Sequence, residues 1–128
     1  MTCLLDTHFV IWIATNSKRL KHYPWLNAYE PWGVSPISLL EIQLLAEVGR
    51  GRIDNPRFSN AVMEDPRFEV DEAPLTALVE KALGLAWTRD PFDRLIAAHS
   101  QVRRVPLCSV DSVMLTQQKL IVPELRHN

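Results

Sequence analysis

The sequence predicts an α/β domain built on a mainly parallel central sheet, and three observations lead there. Short apolar runs alternate with stretches of helical pattern along the whole chain, the order expected of parallel strands joined by helical crossovers. The runs TCLL (2–5) and VPLCSV (105–110) lack polar alternation, as strands covered on both faces do. No repeat, low-complexity tract or linker divides the chain, and 128 residues suffice for a core, so residues 1–128 read as a single domain.

Taken in order, residues 2–5 are the first strand and 7–15 the helix that follows it. The centre of that helix, FVIWIA (Phe9 to Ala14), is apolar on every side. Such a helix is either covered all round or meets a partner. KRLKHYPWLNAYE (18–30) reads as a turn and a second short helix, with Pro24 near its first turn. GVS (33–35) is a very short strand. ISLLEIQLLAEVG (37–49) is a helix with apolar side chains at 39, 42, 44, 45 and 48, closed by Gly49 and Gly51. RGRIDNP (50–56) is a loop, 57–64 a helix, FEVDE (68–72) a strand and PLTALVEKAL (74–83) a helix that Pro74 opens. A helix from about 91 to 102, the strand 105–110, the helix SVMLTQQ (112–118) and a last strand LIV (120–122) complete the chain.

With 47% apolar and 23% charged residues the composition is that of a globular protein in water. The net charge of −1 provides no broad cationic footprint. A nucleic acid would have to be attracted by local arginines or by a metal. Cys3 and Cys108 sit in apolar runs and read as buried thiols of a reducing compartment. No signal-peptide pattern and no apolar run near the roughly 18 residues of a membrane span are present. A cytoplasmic protein without a membrane anchor is therefore expected.

Ligands of open α/β sheets bind beyond the carboxyl ends of the strands. Asp6 follows the first strand and Asp111 follows the strand 105–110, so both belong at that edge. Each is also a possible helix N-cap, ahead of 7–15 and 112–118 respectively. Glu41 fits a capping box with Ser38. Yet Leu39, Leu40, Ile42, Leu44 and Leu45 surround it, and a carboxylate among apolar groups needs compensation, which a cation at the sheet edge would supply. In RDPFDRLIAAHS (89–100), Asp90 is placed to cap the helix that Pro91 starts, which puts Asp93 at the third helical position. Thr7 and Ser109 stand beside these acids. Ser109 shares a strand face with Asp111, at i and i+2, and so could orient it. Ordinary turn or cap chemistry is the plainer account of Thr7.

LLDTH (4–8), the helix SLLEIQLLAEVGRGRI (38–53), DPFDRLIAAHS (90–100) and PLCSVD (106–111) together resemble a PIN domain, specifically a ribonuclease toxin of the VapC type. Residues 56–86 match only in their pattern of helices and strands. The resemblance implies a PIN-like fold and an acidic site of Asp6, Glu41, Asp93 and Asp111 that binds Mg²⁺ or Mn²⁺ and hydrolyses RNA phosphodiesters. Asp90 belongs to the DPFD form of the motif, either as a further ligand or as the N-cap. A cognate antitoxin and a homodimer are implied as partners, and the all-round apolar helix Phe9–Ala14 makes Trp12 or a neighbour the expected interface residue. The chain departs from many relatives where they carry a tryptophan just before the helical glutamate, a lysine four residues after it, and a histidine before the DPFD element. Leu40, Leu45 and Thr88 stand there instead. These changes touch substrate choice and phosphate contacts and remove no carboxylate.

Arg89 and Arg94 flank the acidic segment, positioned to hold phosphates or to pair with Asp90 and Asp93. Arg50 and Arg52, on a glycine-containing loop, are either RNA contacts or solvated charges. His8 and His99 read as structural, since a hard cation prefers oxygen. Three other readings compete. A haloacid-dehalogenase-type phosphotransferase requires an acid two residues after the first, where His8 stands. A response-regulator receiver requires a mid-chain acceptor aspartate and a late lysine, and neither is in place. A non-catalytic PIN-like module binding RNA or protein is the third, and the complete set of acids argues against it.

Overall fold

Four short parallel strands carry the fold: β1 (Leu4–Leu5), β2 (Trp32–Val34), β3 (Phe68–Val70) and β4 (Leu107–Cys108). The computed structural model describes residues 1–49 and 52–126, and within them the sheet runs β3-β2-β1-β4. Leu4 pairs with Gly33 on one side and Leu107 on the other, and Leu5 with Val34 and Cys108. The chain adds β2 and β3 on one side of β1, then crosses to place β4 on the other. The strand order thus reverses between β1 and β4, the kind of crevice in which α/β sheets hold ligands.

The helices are α1 (Thr7–Ala14), α2 (Pro36–Glu47), α3 (Arg57–Glu64), α4 (Leu75–Leu83), α5 (Pro91–Arg103) and α6 (Ser112–Gln117). Both faces of the sheet are covered. Leu5 and Cys108 pack with Phe9, Val10, Ile13, Trp32 and Ile42 on one side. Leu4 and Leu107 pack with Ile96, Ala97, Ala98 and Met114 on the other. This two-sided burial is why the strand sequences lack alternation. Cys3 and Cys108 are free, fully buried thiols, and burial pushes the Cys3 pKa up to about 12.

Several expected elements come out shorter. Residues 18–30 form two 3-10 turns, Lys18–His22 and Pro24–Tyr29. The expected strand 120–122 is a single parallel bridge between Ile121 and Leu107, and Pro123 ends it by lacking the next donor. α2 begins earlier than expected. Ser35 accepts from the Ile37 amide as N-cap, and Pro36 takes the first helical position. Ser38 and Glu41 therefore lie inside the helix, and the capping box between them does not form.

Much of the apolar surface expected around Phe9–Ala14 is covered, with Ile11 and Trp12 left half-buried. Phe9, Val10 and Ile13 are buried, and the 3-10 turns fold back so that Trp12 is half-buried beside Tyr23 and beneath Arg19. Large exposed apolar side chains stand instead on α2 (Leu40, Leu44) with Val48 just past its end, and on α4 (Leu75, Val79, Leu83).

Candidate active site

Each acid reaches the sheet edge by a separate local device. Asp6 leaves β1 in an extended conformation and caps α1, its Oδ1 accepting from the His8 amide at 3.1 Å. Asp111 does the same for α6 through the Met114 amide at 3.0 Å. Asp90 caps α5, its Oδ1 accepting from the amides of Phe92 and Asp93. Capping and site membership thus prove compatible: α1 and α6 start at the ends of β1 and β4, and the cap of α5 meets theirs at one pocket. Glu41 projects from the second turn of α2. A pocket of about 210 Å³ is lined by Asp6, Thr7, His8, Glu41, Asp90, Asp93, Ile96 and Asp111.

Two hydroxyls fix carboxylates in this pocket, neither in the expected way. Thr7 is buried and donates to Glu41 Oε1 at 2.5 Å, with Ser38 Oγ 3.1 Å from its oxygen. Thr7 therefore ties α1 to α2 and is not a turn residue. Ser109 donates to Asp6 Oδ2 at 2.5 Å and accepts from the Asp111 amide at 3.0 Å. It orients Asp6 and contacts only the backbone of Asp111. The shared strand face does not exist, because β4 ends at Cys108.

Among the described residues the arginines take no part in the pocket. Arg94 turns away, its Nε donating to the Thr88 carbonyl at 2.6 Å, since successive helical residues point about 100° apart. Arg89 is exposed, and among the described residues neither arginine pairs with Asp90 or Asp93. Arg52 is exposed and does not line the pocket, and Arg50 lies outside the described residues. His8, read from sequence as structural, lines the pocket and is exposed. Its position at the second residue of a helix capped by Asp6 was the available signal. His99 is fully buried away from the pocket, with Nδ1 2.9 Å from Ser35 Oγ and Nε2 2.7 Å from Asp71 Oδ2.

Among the described residues no lysine or arginine lines the pocket, so negative charge accumulates there. Burial, reinforced by Asp90, Glu41, Asp111 and Asp6, pushes the Asp93 pKa up to about 7. Burial raises Glu41 as well, with Thr7 opposing. Burial also raises Asp6 against the hydrogen bond from Ser109 and the charge of His8. A hard divalent cation suits such an all-oxygen, uncompensated donor set. Among the described residues no three of these groups already form a closed metal cage. Mg²⁺ needs none, because it commonly takes one or two carboxylates and keeps its waters.

The sequence matches the PIN domain family over residues 3–117. The chain belongs to the PIN domain family. Two solved structures share the fold. One is a chain of VapBC2 from Rickettsia felis, bound to a DNA fragment from their promoter: TM-score 0.65, 16% identity, with 94% of this chain and 96% of that one covered. The other belongs to a toxin-antitoxin complex from Klebsiella pneumoniae: TM-score 0.58, 18% identity, with 94% and 92% covered. No curated protein matches in sequence. The PIN match places β1, α2, α5 and β4, and the acids they carry, within one family domain.

Proposed function

We propose that this PIN domain is the toxin of a toxin-antitoxin pair in the cytoplasm and acts as a metal-dependent endoribonuclease. The observation that carries this reading is the convergence of Asp6, Glu41, Asp90, Asp93 and Asp111 on one pocket that, among the described residues, no lysine or arginine lines. Asp6, Glu41, Asp93 and Asp111 would hold Mg²⁺ or Mn²⁺, with Asp90 chiefly the helix cap. A bound divalent cation supplies Lewis acidity and screens the charge that grows on a phosphate during in-line attack. Ser109 and Thr7 hold the Asp6 and Glu41 carboxylates in fixed orientations, so little reorganisation accompanies reaction. Ile96, buried in the core, also lines the pocket.

Cleavage of an unpaired oligoribonucleotide should vanish in excess chelator and return with Mg²⁺ or Mn²⁺. Full activity in chelator would rule out the metal-dependent mechanism. A second reading, a non-catalytic PIN module, draws on the lack of a closed three-ligand cage among the described residues. RNA retention without cleavage at any metal concentration would favour it.

The two similar structures, one of VapBC2 and the other of a toxin-antitoxin complex, support an antitoxin partner. We assign it to the groove of about 500 Å³ that Leu44, Leu45, Val48 and Phe92 form beside Glu41 and Asp90. An antitoxin arginine reaching Asp6 or Asp93 from there would replace the metal's charge. The homodimer is assigned to α4, where Leu75, Val79 and Leu83 recur every four residues and lie exposed, Leu83 by 73%. Leu83→Glu should halve the mass seen by light scattering, and Leu44→Glu should weaken binding to purified antitoxin. Unchanged mass and unchanged binding would reject these assignments.

A further inference from the structure

The 3-10 turn Lys18–His22 is the most cationic stretch of a chain whose net charge is −1. Lys18, Arg19 and Lys21 carry the charge, and among the described residues none of them enters an ion pair. Three unpaired like charges on one short turn repel one another and attract a polyanion. Aromatic rings follow directly. Tyr23 meets His22 and Trp25 edge-on at 6.3 and 5.9 Å, and Trp25 meets Tyr29 at 5.8 Å. His22, Tyr23, Trp25, Val110 and Leu115 line an open cleft of about 340 Å³.

Lys18 and Lys21 line a second open pocket that shares Tyr23 with this cleft, and two links lead from the segment toward the acidic pocket. Val110 immediately precedes Asp111. On the other side, His8 of the pocket lies 6.1 Å from the Trp12 ring, and the Arg19 guanidinium lies 5.4 Å above that same ring. Cations interleaved with rings are what an unpaired nucleic-acid strand requires, phosphates on the former and base faces on the latter. We propose that the segment Lys18–Trp25 forms a base-binding subsite for single-stranded RNA beside the acidic pocket, with Arg19 and Lys21 on phosphates and Trp25 and His22 on a base. The proposal rests on the nuclease reading above and extends it to how substrate is gripped. Glu124 also lines the cleft and accepts from the Tyr29 hydroxyl at 2.6 Å. A carboxylate there suits a base with an exocyclic amino group. It repels RNA phosphates and an acidic peptide alike, and the rings, which stack on base faces, favour RNA.

The test uses the full chain and a fluorescent 12-nucleotide unpaired oligoribonucleotide, with binding measured in excess chelator and cleavage measured with Mn²⁺. The triple variant Lys18→Gln, Arg19→Gln, Lys21→Gln alters only groups outside the core. With Arg19 and Lys21 on phosphates, it should flatten the log–log salt dependence of binding by about 1.4. Trp25→Leu should weaken binding and raise KM about tenfold, and Trp25→Phe should restore most of it. Cleavage of a dinucleotide, too short to span both sites, should keep its kcat in all three. If the parent binds and cleaves and these variants match it in Kd, KM and salt slope, the subsite is wrong while the nuclease reading stands. The subsite is equally wrong if the triple variant loses only binding to purified antitoxin. If the parent neither binds nor cleaves RNA with any metal, the nuclease reading fails and the subsite with it.

Discussion

Asp93→Asn is expected to cut RNA cleavage by at least about a hundredfold while leaving the chain folded, and Asp6→Asn to do the same. Each exchange removes one charged oxygen from the pocket with almost no change of volume. Asp90→Asn should cost far less, because asparagine caps helices as well as aspartate does, and the caps on the Phe92 and Asp93 amides would survive. Steady-state cleavage at saturating Mn²⁺ orders the three variants. Wild-type rates for Asp6→Asn or Asp93→Asn would remove them from the site, and an inactive Asp90→Asn would promote Asp90 to a ligand. Stability supplies an independent check. Asp93 titrates near 7 in the folded chain, above the ordinary carboxylate value. The folded state therefore holds its proton more tightly than the unfolded one between about pH 4 and pH 7, and stability falls as pH rises through that window. Without metal at pH 8, Asp93→Asn should melt no lower than the parent.

The second large effect lies outside the pocket. His99→Leu is expected to destabilise the fold by about 3 kcal/mol, a drop of roughly 10 °C in Tm. The His99 ring joins three elements. Nδ1 lies 2.9 Å from the hydroxyl of Ser35, the cap of α2, and Nε2 lies 2.7 Å from Asp71 beyond the end of β3. Arg103, one turn further along α5, donates to the same Asp71 oxygen at 2.7 Å. Burial alone would raise the Asp71 pKa, but the hydrogen bonds from His99 and Arg103 outweigh it and hold the carboxyl below its usual value. Leucine fills the space yet leaves the Ser35 hydroxyl and the Asp71 carboxylate each without its ring partner. Because α2 carries Glu41 and α5 carries Asp93, the loss should also loosen the pocket, visible as weaker metal binding in the variant that remains folded. A Tm within about 2 °C of the parent would show that the network is dispensable.

Most of the architecture was legible in the residues. TCLL and PLCSV are apolar without alternation because both faces of the sheet are covered, as those of a parallel sheet between helices are. The placement of Asp6 and Asp111 at one sheet edge followed from the alternation of strands and helices alone. The short 3-10 turns and the single bridge at Ile121 were not legible, since so few residues carry no periodicity to read.

What the sequence determined by itself was therefore the order of elements along the chain and the acids set at their ends, because helix and strand periods and caps are encoded within a few neighbouring residues. Which hydroxyl serves which carboxylate was decided only by the tertiary structure. Thr7 and Glu41 are 34 residues apart, Ser35 and His99 64, and Ser109 and Asp6 103. The same holds for Arg94 turning from the pocket, His8 facing it, and the exposed apolar surface lying on α2 and α4. Each depends on where two distant segments come to rest against each other, and no local pattern records that distance.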